Sequence, residues 1–274
     1  MQPTSIGWTD FSANPLKYRD ADGAVKWACA KVSAGCTNCY SEALAKRWNR
    51  GTDYNAGEVA KLTPFLDEKE LRAMLTSKKI SGKRVFVGDM TDIFGEWVPD
   101  ALLLRLFDVF RQRRDVAWQV LTKRADRMRS FLSQLQFDHD CFGRMFLQDR
   151  GRNRQGLPIS FNVLMNVWVG VSCENQAQLV RVDALKDTPA AIRFVSFEPL
   201  LEDLGCVLLD GIQWAIVGGE SGPQYRDVPT QAITSLAKQC QSAGVPVFVK
   251  QDAHRLPGQQ GRIPDNYFVH EFPR

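Results

Sequence analysis

The sequence has no long apolar run and no recognisable leader. Uninterrupted apolar stretches such as ALLL and VWVGV fall far short of the ~20 residues that a membrane-spanning helix needs. The opening segment MQPTSIGWTDF contains no basic stretch followed by an apolar one, so no secretory signal is visible. We therefore expect a cytoplasmic protein with no membrane partner.

Histidine is also scarce, and the cysteines cannot all be paired. The three histidines, His139, His254 and His270, stand far apart in the sequence and form no metal-binding or catalytic motif. Seven cysteines are an odd number, and thiols stay reduced in the cytoplasm. Clustered cysteines then suggest metal binding or catalysis rather than disulfides. The net charge of +4 permits a nucleic-acid or nucleotide partner without requiring one.

Six short runs rich in Val, Ile, Phe and Trp recur after residue 80. They lie within 84–92, 117–124, 167–175, 192–199, 214–221 and 245–251. Continuous apolar runs of this length, without alternation, are typical of strands in a parallel sheet that is covered on both faces. Between the runs are four amphipathic helix candidates, at 99–113, 124–135, 175–187 and 230–244.

This alternation predicts an α/β fold, either a barrel or a doubly wound sheet. We expect a partial parallel (β/α) barrel of six or seven strands, spanning 1–274 as a single domain. Residues 136–162 interrupt the rhythm with four arginines and weak periodicity, which indicates an insertion or long loop. A patch such as RGRNRQG within it could contact an anionic substrate or be a solvated excursion.

Polar residues collect where the predicted strands end. Active sites of barrels and open α/β sheets form at the carboxyl ends of the strands, so six polar ends together suggest one shared site. Any loop can also begin with polar residues, so each position taken singly is ambiguous. The candidates are Asp89, Thr91 and Asp92, then Thr122, Lys123 and Arg124, then Ser172, Glu174 and Asn175, then Glu198, Glu220, Ser221, Lys250 and Gln251.

Three cysteines stand close together at Cys29, Cys36 and Cys39, just before a predicted helix. Three thiolates on one compact loop suit a [4Fe–4S] cluster that leaves one iron free for an outside ligand. A structural zinc site usually needs a fourth ligand, and none stands nearby in sequence. A buried trio of thiols without metal, or a single nucleophilic cysteine, would also be compatible with this spacing. The loop is expected to cap the carboxyl-end mouth of the barrel.

Eight segments in order carry a family resemblance. They are WTDFSANP, CAKVSAGCTNCYSEALAKR, VFVGDMTDIFG, VLTKRADRM, VGVSCEN, FVSFEPLL, IVGGESGP and VFVKQ. The series resembles a family of phage-encoded proteins related to radical S-adenosylmethionine (radical SAM) enzymes, and distantly resembles spore photoproduct lyase. The match covers nearly the whole chain apart from 136–162 and the last twenty residues or so.

The resemblance implies a cluster, a cofactor and a type of chemistry. Cys29, Cys36 and Cys39 would bind a [4Fe–4S] cluster, and an external one-electron reductant would drive cleavage of SAM to a 5′-deoxyadenosyl radical. The usual motif is C-x3-C-x2-C, whereas the first gap here is six residues. The expected SAM-binding residues, by resemblance or by their place at strand ends, are Gly88, Asp89, Thr91, Asp92, Lys123, Ser172, Glu174, Glu198, Gly218, Gly219 and Glu220.

The substrate is expected to be a nucleobase or nucleotide. One option is rearrangement of a modified thymidine during DNA hypermodification in a bacteriophage, which would make the enzyme an isomerase or lyase. Another is a DNA lesion-repair lyase of the same superfamily. A non-catalytic nucleic-acid-binding protein, stabilised by zinc or a cluster, is the hypothesis from a different functional class.

Overall fold

The computed structural model describes residues 1–48, 52–137, 145–147 and 163–273, with only the backbone described at 136–137 and 145–147. The strands are β1 (Gln2–Pro3), β2 (Phe11–Ala13), β3 (Leu16–Arg19), β4 (Val25–Lys26), β5 (Thr63–Leu66), β6 (Arg84–Val87), β7 (Ala117–Thr122), β8 (Leu135–Phe137), β9 (Met145–Leu147), β10 (Val167–Ser172), β11 (Ile192–Phe197), β12 (Trp214–Gly218) and β13 (Val247–Gln251). The α-helices are α1 (Tyr40–Arg47), α2 (Ala56–Val59), α3 (Glu68–Thr76), α4 (Asp100–Gln112), α5 (Ala125–Gln134), α6 (Val180–Lys186) and α7 (Thr230–Ser242).

The main sheet has eight strands in the order β1-β2-β6-β7-β10-β11-β12-β13 and curls into a half-barrel. The pairing of β1 with β2 is antiparallel, and all the other pairings are parallel. All six strands predicted from apolar runs are present, so the α/β parallel sheet is confirmed. The seventh parallel strand, β2, was not predicted because it is only three residues long.

The helices follow the predicted positions because their boundaries carry ordinary start and stop signals. Helix α4 begins directly after Pro99, with Asp100 in its first turn, where a carboxylate is favoured by the helix dipole. Helix α7 ends before Gly244, whose φ of 66° provides the left-handed turn that closes many helices. All four helix candidates are confirmed, as is the helix that follows the cysteines.

The two faces of the sheet pack differently. The outer face packs against α4–α7 in the main core, which contains residues such as Trp118, Phe107 and Phe131. A second cluster, the aromatic plug, fills the inner face with Trp8, Phe86, Phe194, Trp214, Ile216 and Phe248. Each aromatic ring contributes roughly 150–250 Å² of buried surface, so the plug fills much of the inner face of the sheet.

The predicted insertion at 136–162 lies largely outside the described residues. Within it, only the backbone pairing of β8 with β9 is given. Across the described ranges, no helix is long and apolar enough to cross a membrane.

Candidate functional site

The three clustered cysteines lie on one loop between β4 and α1, which we call the cysteine loop (residues 27–39). Cys36 ends a short 3₁₀ helix at Ala34–Cys36, and Cys39 is the N-cap of α1. Cys29 and Cys39 pack against the same small apolar cluster around Tyr54. The loop therefore brings the cysteines together at one end of the half-barrel, and its backbone contacts show which end.

Glu174, two residues beyond β10, anchors the middle of the cysteine loop. Its carboxylate accepts a hydrogen bond from the Gly35 backbone N–H at 3.1 Å and pairs with Arg181 at 3.0 Å. Glu174 is fully buried. Burial disfavours the charged form, but hydrogen bonds and the charges of Lys123 and Arg181 outweigh burial and lower the pKa of Glu174. A side chain at Gly35 would begin 3.0 Å from this carboxyl group, so the glycine allows the close contact.

Glu220, two residues beyond β12, anchors the second half of the loop. It pairs with Arg226 at 2.5 Å and accepts a hydrogen bond from the Asn38 side chain at 3.0 Å. Arg226 in turn donates to the Ala34 carbonyl at 3.0 Å. Burial opposes ionisation of Glu220, yet its hydrogen bonds to Arg226 and Asn38 lower its pKa. This ion pair therefore ties the loop to the end of β12.

Asp92 and Arg124 form the third anchor, beyond β6 and β7. The two side chains pair at 3.0 Å, and Arg124 donates to the Ala30 carbonyl at 2.9 Å. Asp92 also accepts hydrogen bonds from the Thr122 hydroxyl at 2.7 and 2.8 Å. Close by, the Thr91 hydroxyl donates to the Ala28 carbonyl at 2.6 Å. The cysteine loop is thus held across the carboxyl ends of the strands, and together they form what we call the mouth.

These contacts divide the predicted cofactor-binding residues into two groups. Thr91, Glu174 and Glu220 are buried and Asp92 is partly buried, and all four have their polar groups engaged in holding the loop. Their first role in this structure is therefore to position the cysteines. The other predicted residues lie at or near the interior of the mouth.

Glu198 and Lys250 form an ion pair across the mouth, from the end of β11 to β13. Gly218, at the end of β12, lies between these strands in the sheet, and a Cβ there would meet the Lys250 Cβ at 3.4 Å. The neighbouring Gly219 has a different reason to be glycine. A Cβ at Gly219 would lie 2.3 Å from the Ala253 backbone nitrogen, so the adjoining chain, rather than a ligand, fills that space.

Lys123, Ser172 and Ser196 stand in a row on three adjacent strand ends. Ser172 pairs with Ser196 in register, and Lys123 follows Thr122, whose partner is Val171. Both serines are almost fully buried, yet neither hydroxyl has a hydrogen-bond partner within the described chain. The Lys123 ammonium has no carboxylate within ion-pair distance among these residues, although its charge lowers the Glu174 pKa. This row offers one cation and two hydroxyls to a ligand.

Asp89 and Tyr40 face each other at the same opening. The Tyr40 hydroxyl donates to the Asp89 carbonyl at 2.9 Å, while the Asp89 carboxylate accepts a hydrogen bond from Asn14. Burial raises the pKa of Asp89. Burial also raises the pKa of Tyr40 well above its ordinary value, although half of the side chain is exposed (51%). Gly88, with φ at 87°, makes the turn that presents Asp89.

The cysteines fit an iron–sulfur cluster by donor type. A single zinc ion needs thiolate sulfurs at ~2.3 Å from the metal, hence roughly 4 Å from one another. Among the described residues, no group of three or more His, Cys, Asp or Glu side chains is already placed to hold a metal ion, so the three cysteines are not preassembled around a single centre. Ligands of a cluster bind different irons and need not meet at one point. In the metal-free geometry, burial and then the Asp92 charge raise the pKa of the Cys29 thiol to about 11.

Several residues that shape the site were not predicted from the sequence. Ser196 could have been found, because it stands two positions before Glu198 and so faces the same side of β11. Arg181 and Arg226 carry no such signal, since each is one charged residue among many until the fold brings it to its carboxylate. Tyr40 is adjacent to Cys39, but its place in the mouth depends on where α1 begins.

Comparison with known proteins gives one result. A family model described as "protein of unknown function (DUF5131)" matches residues 3–269. No curated protein and no solved structure matches the chain significantly. Because the family model covers nearly the whole sequence, the chain belongs to the DUF5131 family of proteins of unknown function.

Proposed function

We propose that this protein is a cytoplasmic radical SAM enzyme that modifies or rearranges a nucleobase or nucleotide. The observation that carries the proposal is the cysteine loop, with three free thiols, fixed by three strand-end ion pairs across the carboxyl-end mouth of a parallel half-barrel. A protein that only needed a structural metal would have little use for a polar interior behind the loop. The reducing cytoplasm suits three unpaired thiols.

In this proposal Cys29, Cys36 and Cys39 hold a [4Fe–4S] cluster. When bound, that group supplies one-electron reductive cleavage of SAM, with the electron coming from an external reductant, and the resulting 5′-deoxyadenosyl radical removes a hydrogen atom from the substrate. The protein's own part is to bind, orient and exclude water. Glu174 and Glu220 contact the loop directly and Asp92 holds it through Arg124, so these residues keep the thiols at the mouth.

The groups that remain available in the mouth match the charges of SAM. Asp89 offers a carboxylate to an ammonium group, and Lys123 offers a cation to a carboxylate. Ser172 supplies a hydroxyl from the neighbouring strand, and Glu198 is paired with Lys250 on the far wall. The aromatic plug fills the inner face of the sheet with apolar side chains, which limits the access of water to a reactive intermediate.

The proposal is tested by anaerobic reconstitution with iron and sulfide, followed by incubation with SAM and a chemical reductant. We expect bound iron and sulfide, and formation of 5′-deoxyadenosine. Cys36→Ala should abolish deoxyadenosine formation, whereas Cys206→Ala, which removes an exposed free cysteine elsewhere, should leave it unchanged. Uptake of zinc without deoxyadenosine formation would contradict the enzyme proposal and favour the hypothesis of a non-catalytic nucleic-acid-binding protein.

A further inference from the structure

Exposed large hydrophobic side chains are concentrated around the mouth. Eight such residues occur in the described chain, and five of them lie on the cysteine loop, on α1 or its C-cap, or on the segment 225–256. These five, which we call the rim, are Val32, Tyr40, Trp48, Tyr225 and Leu256. The rim includes every exposed aromatic residue of the described chain, so the aromatic surface is placed where a substrate would enter.

Contacts between these segments show that they lie next to the cysteine loop. Asn38 of the cysteine loop donates to the Gln224 carbonyl at 2.8 Å, next to Tyr225. The Tyr225 ring stacks on His254 with centroids 6.5 Å apart. On the other side, Trp48 lies 5.8 Å from Trp27, which packs on the cluster that contains Cys29 and Cys39. Trp48 and Tyr225 therefore each pair with one neighbouring ring beside the cysteine loop.

These segments carry basic residues that have no acidic partner in the part of the chain that the structure describes. Each carboxylate between 29 and 48 or between 220 and 262 is already in an ion pair; these are Glu42, Glu220, Asp227 and Asp252. Arg47, beside Trp48, and Arg255, beside Leu256, are exposed and have no acidic partner within the described chain. In the same two stretches, Lys238 on α7 is the third cation without an acidic partner among the described residues, and the two guanidinium groups are the ones next to rim residues.

We infer that the rim binds single-stranded nucleic acid, so that the substrate base of the proposed enzyme belongs to a polymer rather than to a free nucleotide. Exposed aromatic rings stack on bases without regard to sequence, and unpaired arginines contact phosphates. A protein partner would instead require a contiguous apolar patch at the centre of the interface. This inference rests on the proposed function for the identity of the site, but binding itself needs neither cluster nor SAM.

The test is fluorescence anisotropy of a labelled single-stranded oligodeoxynucleotide with the full chain, free of iron. We expect binding that weakens from about 50 to about 200 mM salt, with a logarithmic slope near −1.4 for two phosphate contacts, and weaker binding of the matching duplex. Trp48→Ala and Tyr225→Ala should each weaken binding about tenfold. Arg47→Gln with Arg255→Gln should remove most of the salt dependence. Leu208→Ala, which alters an exposed residue outside the rim, should bind like the wild type.

Circular dichroism and thermal unfolding verify that each variant is folded; because the altered side chains are exposed, wild-type melting is expected. Two results would overturn the inference: no salt-dependent binding by the wild type, or folded Trp48→Ala and Tyr225→Ala variants that bind as tightly as the wild type. Deoxyadenosine formation without oligonucleotide binding would support the enzyme proposal and contradict the inference about the rim. Oligonucleotide binding that depends on the rim, without deoxyadenosine formation, would support the inference about the rim and contradict the enzyme proposal.

Discussion

Glu174 is fully buried, and its carboxylate contacts both the cysteine loop and Arg181. Burying an unpaired carboxylate costs several kcal/mol of free energy, whereas breaking a buried ion pair by removing one partner is strongly destabilising. At strand ends, a single carboxylate can face either a ligand or another part of the chain, and sequence does not distinguish the two. The carboxylates of Glu174, Glu220 and Asp92 bind other parts of the chain, whereas Asp89 lies at the opening.

Replacing Glu174 with Gln should destabilise the fold by about 1–3 kcal/mol, because Arg181 is then buried without a counter-charge. Since the Glu174 pKa lies below its ordinary value of 4.5, this contribution is complete above that pH and is lost as pH falls through the folded pKa. Denaturant unfolding of both proteins from neutral to acidic pH measures the difference. Asp210→Asn, at an exposed ion pair with Lys186, is the matched control and should behave like the wild type. A constant difference down to strongly acidic pH would contradict this account.

Gly219 and Gly218 give a second contrast between neighbouring residues. Gly219→Ala places a methyl group 2.3 Å from a backbone nitrogen, so the chain must shift, at a cost of about 1–3 kcal/mol or more. Gly218→Ala meets its nearest atom at 3.4 Å and should fold nearly as well as the wild type. Thermal unfolding of the two variants checks the order. Equal melting temperatures would show that the adjoining chain can move aside.

At the scale of elements, the strands were more predictable than the contacts between loops. Six apolar runs identified β6, β7 and β10–β13, because a strand covered on both faces must be apolar along its length. Strand β2 could not be predicted, because three residues are too few to show a pattern of apolar positions. The place of Arg226 was also beyond prediction, since it pairs with Glu220 only because the chain turns back after β12.

The cysteine loop is itself an element whose order depends on distant side chains. Arg226→Ala removes a hydrogen bond to Ala34 and leaves Glu220 without its ion-pair partner, so the loop should open locally more often. Hydrogen exchange read by mass spectrometry should be faster in peptides that cover 33–39, and alkylation of Cys36 should also be faster. Arg105→Ala, at an exposed pair with Glu68, should leave both rates unchanged. Unchanged loop exchange in Arg226→Ala would argue against the anchor.

At the scale of the whole molecule, the polar residues of the candidate site lie at one end of the half-barrel. The aromatic plug fills much of the inner face of the sheet, and the loop, the polar row and the rim all lie at the carboxyl ends. A parallel sheet places the ends of consecutive strands at one edge, which is why residues as far apart as Cys29 and Lys250 can share a site. This arrangement could be foreseen from the strand pattern, whereas the pairing of individual charges could not.

The central claim is that the three thiols bind a cluster open to SAM, and electron paramagnetic resonance tests it most directly. The reconstituted, reduced wild-type protein should give a [4Fe–4S]⁺ signal that changes when SAM is added, and Cys36→Ala should lose that response. The Cys206→Ala protein, altered outside the cysteine loop, should retain it. A cluster signal that SAM leaves unchanged, or a wild-type protein that takes up no iron, would contradict the account.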